Sequence, residues 1–123
     1  VNMSAIEDVI QQKKAIIKEY KKTFEKLKTE YNNIRSLIKT TNERCNKILK
    51  NITNKKGLLA TLTLKHQKEK LIALSKKLEK YNKMAMEIRD KIIDIENKLE
   101  FENDQLKDLY VVYNKQTDKE MGK

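Results

Sequence analysis

The sequence predicts an all-α fold, a long antiparallel two-helix coiled-coil hairpin, and three observations lead to it. Proline is absent and only two glycines occur in 123 residues, whereas turn-rich β and α/β domains use roughly 12% Gly plus Pro. Apolar residues recur at alternating three- and four-residue spacing through both halves of the chain, the repeat of a helix that buries one seam against another. The phase of that repeat slips once, near Gly57.

The first helix is expected over about residues 3–52. Its seam reads Met3, Ile6, Ile10, Lys13, Ile17, Tyr20, Phe24, Leu27, Tyr31, Ile34, Ile38, Thr41, Cys45, Ile48 and Ile52, with only Lys13 and Thr41 not apolar. A turn is expected over about 53–57, where Thr53-Asn54-Lys55-Lys56-Gly57 interrupts the phase. Thr53 or Asn54 can cap the next helix by accepting a hydrogen bond from a free amide of its first turn. The second helix is expected over about 58–113. Its seam reads Leu64, Gln67, Leu71, Leu74, Leu78, Tyr81, Ala85, Ile88, Ile92, Ile95, Leu99, Glu102, Leu106, Leu109 and Tyr113, broken by Gln67 and Glu102. At 1.5 Å per residue each helix is about 75 Å long, and a short break folds them back as an αα-hairpin. Residues 114–123 show no apolar seam and are expected to fray. The whole chain reads as one domain.

Four i,i+4 pairs have the favourable acid-before-base order: Glu43→Lys47, Glu79→Lys83, Glu87→Lys91 and Asp94→Lys98. The hairpin also makes a demand on register. With Ile52 near the turn opposite residues 62–64, positions whose numbers sum to about 115 face each other, and the charged seam breaks Lys13 and Glu102 do so. They are expected in the same or an adjacent core layer, fixing the register. Such a pair adds little net stability but penalises slipped alignments.

Two helices bury one seam each, yet apolar residues also lie off the seam, among them Ile16, Leu37, Leu49, Ile72, Met84, Met86, Ile93, Phe101, Val111 and Val112. A partner helix, a second chain or a membrane surface is the expected cover. Ile72, Met84, Met86, Ile93 and Phe101 are the residues expected to meet a partner.

The charge is uneven. There are 28 Lys+Arg against 18 Asp+Glu, a net charge of +10. Residues 1–85 carry 21 basic and 8 acidic side chains, and residues 86–123 carry 7 and 10. A basic excess of this size attracts polyanionic surfaces. Arginine accounts for only three of the basic residues, Arg35, Arg44 and Arg89. Sequence-specific DNA reading leans on the arginine fork, and Tyr20, Tyr31 and Tyr81 lie on the seam rather than on a surface that could stack single strands, so nucleic acid is not the expected partner. Lys14, Lys21, Lys28 and Arg35 recur every seven residues one position beyond the seam, and Lys70, Lys77, Lys91 and Lys98 form a shorter stripe. Each stripe reads either as a rail for phosphate groups or as lysine stems covering the seam with their charge in water.

Nothing in the chain has the makings of a catalytic site. Cys45 sits on the seam as a small apolar residue, and one cysteine forms no internal disulfide. His66 has no Cys or carboxylate partner at metal spacing. Neither a Gly-rich phosphate loop nor a Ser/His/Asp set occurs, and the acidic run from Asp94 to Asp108 spreads around a helix. Asn2-Met3-Ser4 and Asn51-Ile52-Thr53 match the glycosylation sequon, which arises by accident in a chain with eleven asparagines. No enzyme activity, cofactor or metal is expected, and no apolar run approaches the ~20 residues of a membrane span.

The turn and the opening of the second helix carry a family resemblance. Asn54-Lys55-Lys56, then Leu59, Leu62, Lys65, Glu69, Lys70 and Leu71 or Ile72, resemble the start of the second core helix of ESCRT-III proteins, the charged multivesicular body proteins. Gln11-Gln12-Lys13 and Tyr20-Lys21-Lys22 are similar to the first helix of the myristoylated members. The likeness covers about residues 10–95; Thr63 and Leu64 depart from it where basic residues are usual, as does Gly57 where Ala is common. The resemblance implies a non-enzymatic subunit that lies on anionic endosomal membranes and polymerises to remodel them. Lys14, Lys18, Lys21, Lys22, Lys28, Lys65 and Lys68 would form its basic face, with Arg35 extending the stripe. It also implies a cytoplasmic location, peripheral on endosomal or other membranes. The alternative is a structural coiled-coil interaction module of a larger tether, cytoskeletal or kinetochore protein. A weaker likeness to the N-terminal regulatory domain of syntaxin-type SNAREs leaves no room for that domain's first loop, because the heptad is unbroken from Met3 to Ile52.

Overall fold

In the computed structural model the chain consists of two α-helices, α1 (Met3–Asn54) and α2 (Leu58–Glu120), which pack antiparallel as a hairpin. The structure describes residues 3–54 and 58–120, with side chains described over 3–53 and 64–120. There is no strand among the described residues. Gly57, the expected point of phase slip, lies between the two helices and outside the described residues.

The seam accounts for burial along α1. Each of its fifteen positions from Met3 to Ile52 is buried or half-buried, and every other residue from Ser4 to Thr53 is exposed. Ile6, Ile10, Ile17 and Ile34 are the most enclosed apolar side chains of α1, and Ile95 that of α2. Burying a branched aliphatic side chain of this size stabilises by roughly 1.5–3 kcal/mol. On α2 the seam is covered from Gln67 to Tyr113, whereas Leu64 at its start remains 43% exposed.

Thr41, a polar seam position on α1, is buried, and its hydroxyl donates to the carbonyl of Leu37 at 2.7 Å. The helix itself satisfies this hydroxyl, so the position carries no orphaned donor. Gln67, the polar seam position on α2, is less well placed. Its Oε1 is shut off from solvent with no hydrogen-bond partner among the described residues.

Two expectations about the helix ends are corrected. Thr53 does not cap α2: its hydroxyl bonds back to the carbonyls of Leu49 and Lys50, at 3.2 and 2.9 Å, within the last turn of α1. Asn54 is the final residue of α1, so the helix takes in two positions expected in the turn. Residues 114–120 are helical rather than frayed. Gln116 and Thr117 are half-buried, and the Thr117 hydroxyl donates to the Tyr113 carbonyl at 2.9 Å. Gln116 falls three residues after Tyr113, so the seam spacing persists although its residue type turns polar. Lys119 in the last turn also suits the negative end of the helix dipole.

The chain forms two compact units. The first joins Val1–Lys28 to Asp90–Lys123 and contains both outer helix ends; the second is Thr29–Arg89.

Candidate interaction surfaces

In the first unit the charged seam breaks meet. Lys13 Nζ lies 2.8 Å from Glu102 Oε2, with the two side chains only 21% and 13% exposed. The same ammonium donates to Gln105 Oε1, a third member that the seam pattern did not announce. A carboxylate and a carboxamide oxygen therefore serve two of the three lysine donors inside an otherwise apolar seam. Further toward the helix ends, the Tyr113 hydroxyl donates to Glu7 Oε1 at 3.2 Å. Lys14 Nζ stands 5.7 Å from the centroid of the Tyr110 ring.

Hydrogen bonding sets the direction of the two pKa shifts in this unit. Tyr113 is held above the usual phenol range, first because its proton bonds Glu7 and then because the Glu7 charge opposes a phenolate. Lys98 is raised first by its hydrogen bond to Asp94 and then by the charge of that carboxylate. Their N–O separation is 3.0 Å. Of the four i,i+4 pairs expected, this one closes. Glu43–Lys47, Glu79–Lys83 and Glu87–Lys91 are not among the ion pairs of the described residues.

The heptad-spaced cations Lys14, Lys21, Lys28 and Arg35 are all exposed, and three of them stand over rings. Besides Lys14 on Tyr110, Lys28 lies 5.2 Å from the Phe24 ring centroid and Arg35 lies 5.8 Å from that of Tyr31. The rings belong to the seam or adjoin it, so these side chains cover its rim while their charges stay in solvent. Each contact stabilises by about 0.5–1 kcal/mol at such exposure. Lys21 joins Lys14, Lys18, Ile17, Asn103 and Leu106 around one groove of the first unit. Lys22 is exposed and paired with Glu19 at 3.6 Å. Lys65 and Lys68 are exposed on α2 and belong to the second unit.

The five residues expected to meet a partner are exposed: Met86 at 67%, Phe101 at 58%, Ile72 at 53%, Ile93 at 47% and Met84 at 37%. Phe101 and Ile93 belong to the first unit, and Ile72, Met84 and Met86 to the second. Cys45 is half-buried on the seam, and His66 is exposed. Among the described residues no group of three or more His, Cys, Asp or Glu side chains could hold a metal ion. No helix among them is long and apolar enough to cross a membrane.

Charge divides between the units differently from the way it runs along the chain. The first unit carries 13 basic and 13 acidic residues and is balanced, because folding lays the acidic C-terminal third beside the basic start of α1. The second unit carries 15 basic and 5 acidic residues, so the whole net charge of +10 belongs to it. All three arginines are also there. Two grooves of this unit are lined by basic residues. One holds Arg35, Lys39 and Arg89 with Glu43 and four asparagines, Asn32, Asn42, Asn46 and Asn82. The other is lined by Arg44, Lys47, Lys70 and Lys77 around Ile48, Ala73 and Leu74, with no carboxylate among its described lining residues.

No protein-family model, no curated protein and no solved structure matches this chain.

Proposed function

We propose that the chain is a non-enzymatic coiled-coil interaction module, a helical hairpin whose outer faces bind another helical protein. The observation that carries this reading is the set of large apolar side chains left in solvent by a seam that is already used, with Ile72, Met86 and Phe101 each more than half exposed. Large apolar side chains left in water lower solubility, and a partner surface that covers them gives them a role. The test places a photoreactive amino acid at position 86 or 101 and follows the adducts formed in cells. Discrete protein adducts, lost on Met86→Glu or Phe101→Glu with helix content and melting unchanged, are expected. An absence of protein adducts from both positions contradicts the reading.

A second reading, the ESCRT-III-like membrane subunit, is favoured by one particular feature. Lys14, Lys18 and Lys21 converge on a single groove without a carboxylate. Weighing against it, the stripe cations Lys14, Lys28 and Arg35 are engaged with rings, which favours their role as a cover for the seam. Co-sedimentation with phosphatidylserine vesicles separates the two readings. Salt-sensitive binding that falls on Lys18→Glu and Lys21→Glu supports the membrane subunit, and equal indifference to anionic and neutral vesicles excludes it.

A further inference from the structure

We propose that the groove of the second unit bounded by Arg44, Lys47, Lys70 and Lys77 is the docking site for an acidic amphipathic helix of another protein, which completes a three-helix coiled coil there. The proposal rests on the reading of the chain as an interaction module and identifies the chemistry of its partner. Arg44 and Lys47 come from α1, and Lys70 and Lys77 from α2, so both helices contribute to the rim. Between the cations lie Ile48 and Leu74, seam residues only half-buried by the two helices, and the small exposed side chain of Ala73. The floor is thus part of the hydrophobic seam, still open to a third apolar stripe.

Charge complementarity selects the occupant. The four cations have no carboxylate among the residues lining the groove, and none of them closes an ion pair with a described residue. Lys47, which the sequence pairs with Glu43, lines this groove, whereas Glu43 lines the other one. The cations flank the seam, where charges on coiled-coil helices choose the partner and its orientation. A helix with Glu or Asp beside its own apolar stripe fits both the floor and the rim. A polynucleotide would satisfy the rim but not the floor, and no aromatic side chain among the described residues lines the groove to stack a base. A second copy is a poorer match, because its first unit is electrically balanced and its second unit repels.

The test uses the full chain and a fluorescent helical peptide of about three heptads with an apolar seam flanked by glutamates. Two control peptides carry the same charges on a scrambled seam, or lysines in place of the glutamates. The acidic peptide should bind with an affinity that falls as salt rises. Lys47→Glu with Lys77→Glu should weaken it at least about tenfold, and the same variant should gain affinity for the lysine-flanked peptide. That gain shows that the variant remains folded. Equal binding of the scrambled peptide would reduce the effect to ionic adsorption and overturn the proposal. Binding unchanged in the double variant would also overturn it, and would leave the interaction-module reading intact if adducts still form from positions 86 and 101. Anionic vesicles that bind with the same variant sensitivity, where the acidic peptide does not bind, would reassign the groove to a lipid surface.

Discussion

Lys13 and Glu102 each break an apolar seam, and each would be a liability alone. Paired at 2.8 Å and joined by Gln105, they become a polar lock in a narrow core. Lys13→Met leaves a largely enclosed carboxylate without its cation, which should cost about 1–3 kcal/mol in denaturant unfolding. Lys13→Met with Glu102→Leu should recover most of that loss, because a well-packed apolar pair replaces the ion pair. Gln67 poses the opposite problem: an acceptor shut away without a donor among the described residues. Gln67→Leu is expected to raise stability by about 1 kcal/mol, read as a higher melting temperature, and a fall would show that the amide has a use. The pairing of residue 13 with 102 was legible in the sequence, because both positions break the seam and their numbers obey the hairpin sum. Gln105 was not, because glutamine beside a seam looks like any solvated residue until the geometry shows what it accepts.

At the scale of the helix, the three-and-four repeat specifies which face is enclosed, with Ile17 buried on it and Met86 exposed off it. Ile17→Ala removes a buried seam side chain and should cost about 2–4 kcal/mol. Met86→Ala removes an exposed one and should fall within about 0.5 kcal/mol. Comparable losses at the two positions would contradict the assigned seam. The C-terminal end of α2 was not legible because Asn114, Lys115, Gln116 and Thr117 are polar, although Gln116 and Thr117 continue the burial begun by Tyr113. Amide exchange should accordingly be protected past Tyr113 to about residue 117. Two groups also titrate in alkali: Tyr113, which ties the end of α2 to Glu7 of α1, and Lys98, paired with Asp94 within α2. The folded-state pKa values of Tyr113 and Lys98 are both raised. The stability each adds is present below its unfolded pKa and is lost as the pH rises through its folded value, above about pH 10. Tyr113→Phe removes the tyrosine part of that loss. Thermal melts from neutral to alkaline pH should therefore show a shallower decline for the variant than for the parent chain.

For the whole molecule, charge organisation was the least legible feature. Counting along the chain placed a basic excess before residue 86 and an acidic excess after it. Folding pairs the acidic stretch with the first 28 residues, and the surplus of +10 is assigned to Thr29–Arg89 alone. No composition window reports this, since the balance depends on which segments share a unit. The hairpin itself was legible, from the absence of proline, the two near-equal seams and the phase slip. The most direct measurement of that arrangement is zero-length carbodiimide coupling, which joins an amine to a carboxylate only where they form a contact ion pair. It should be applied to a mixture of isotopically light and heavy chains. The hairpin predicts a Lys13–Glu102 cross-link with both halves from the same isotope. Mixed-isotope cross-links between these two residues would contradict it, because the helices would then pair between chains rather than within one.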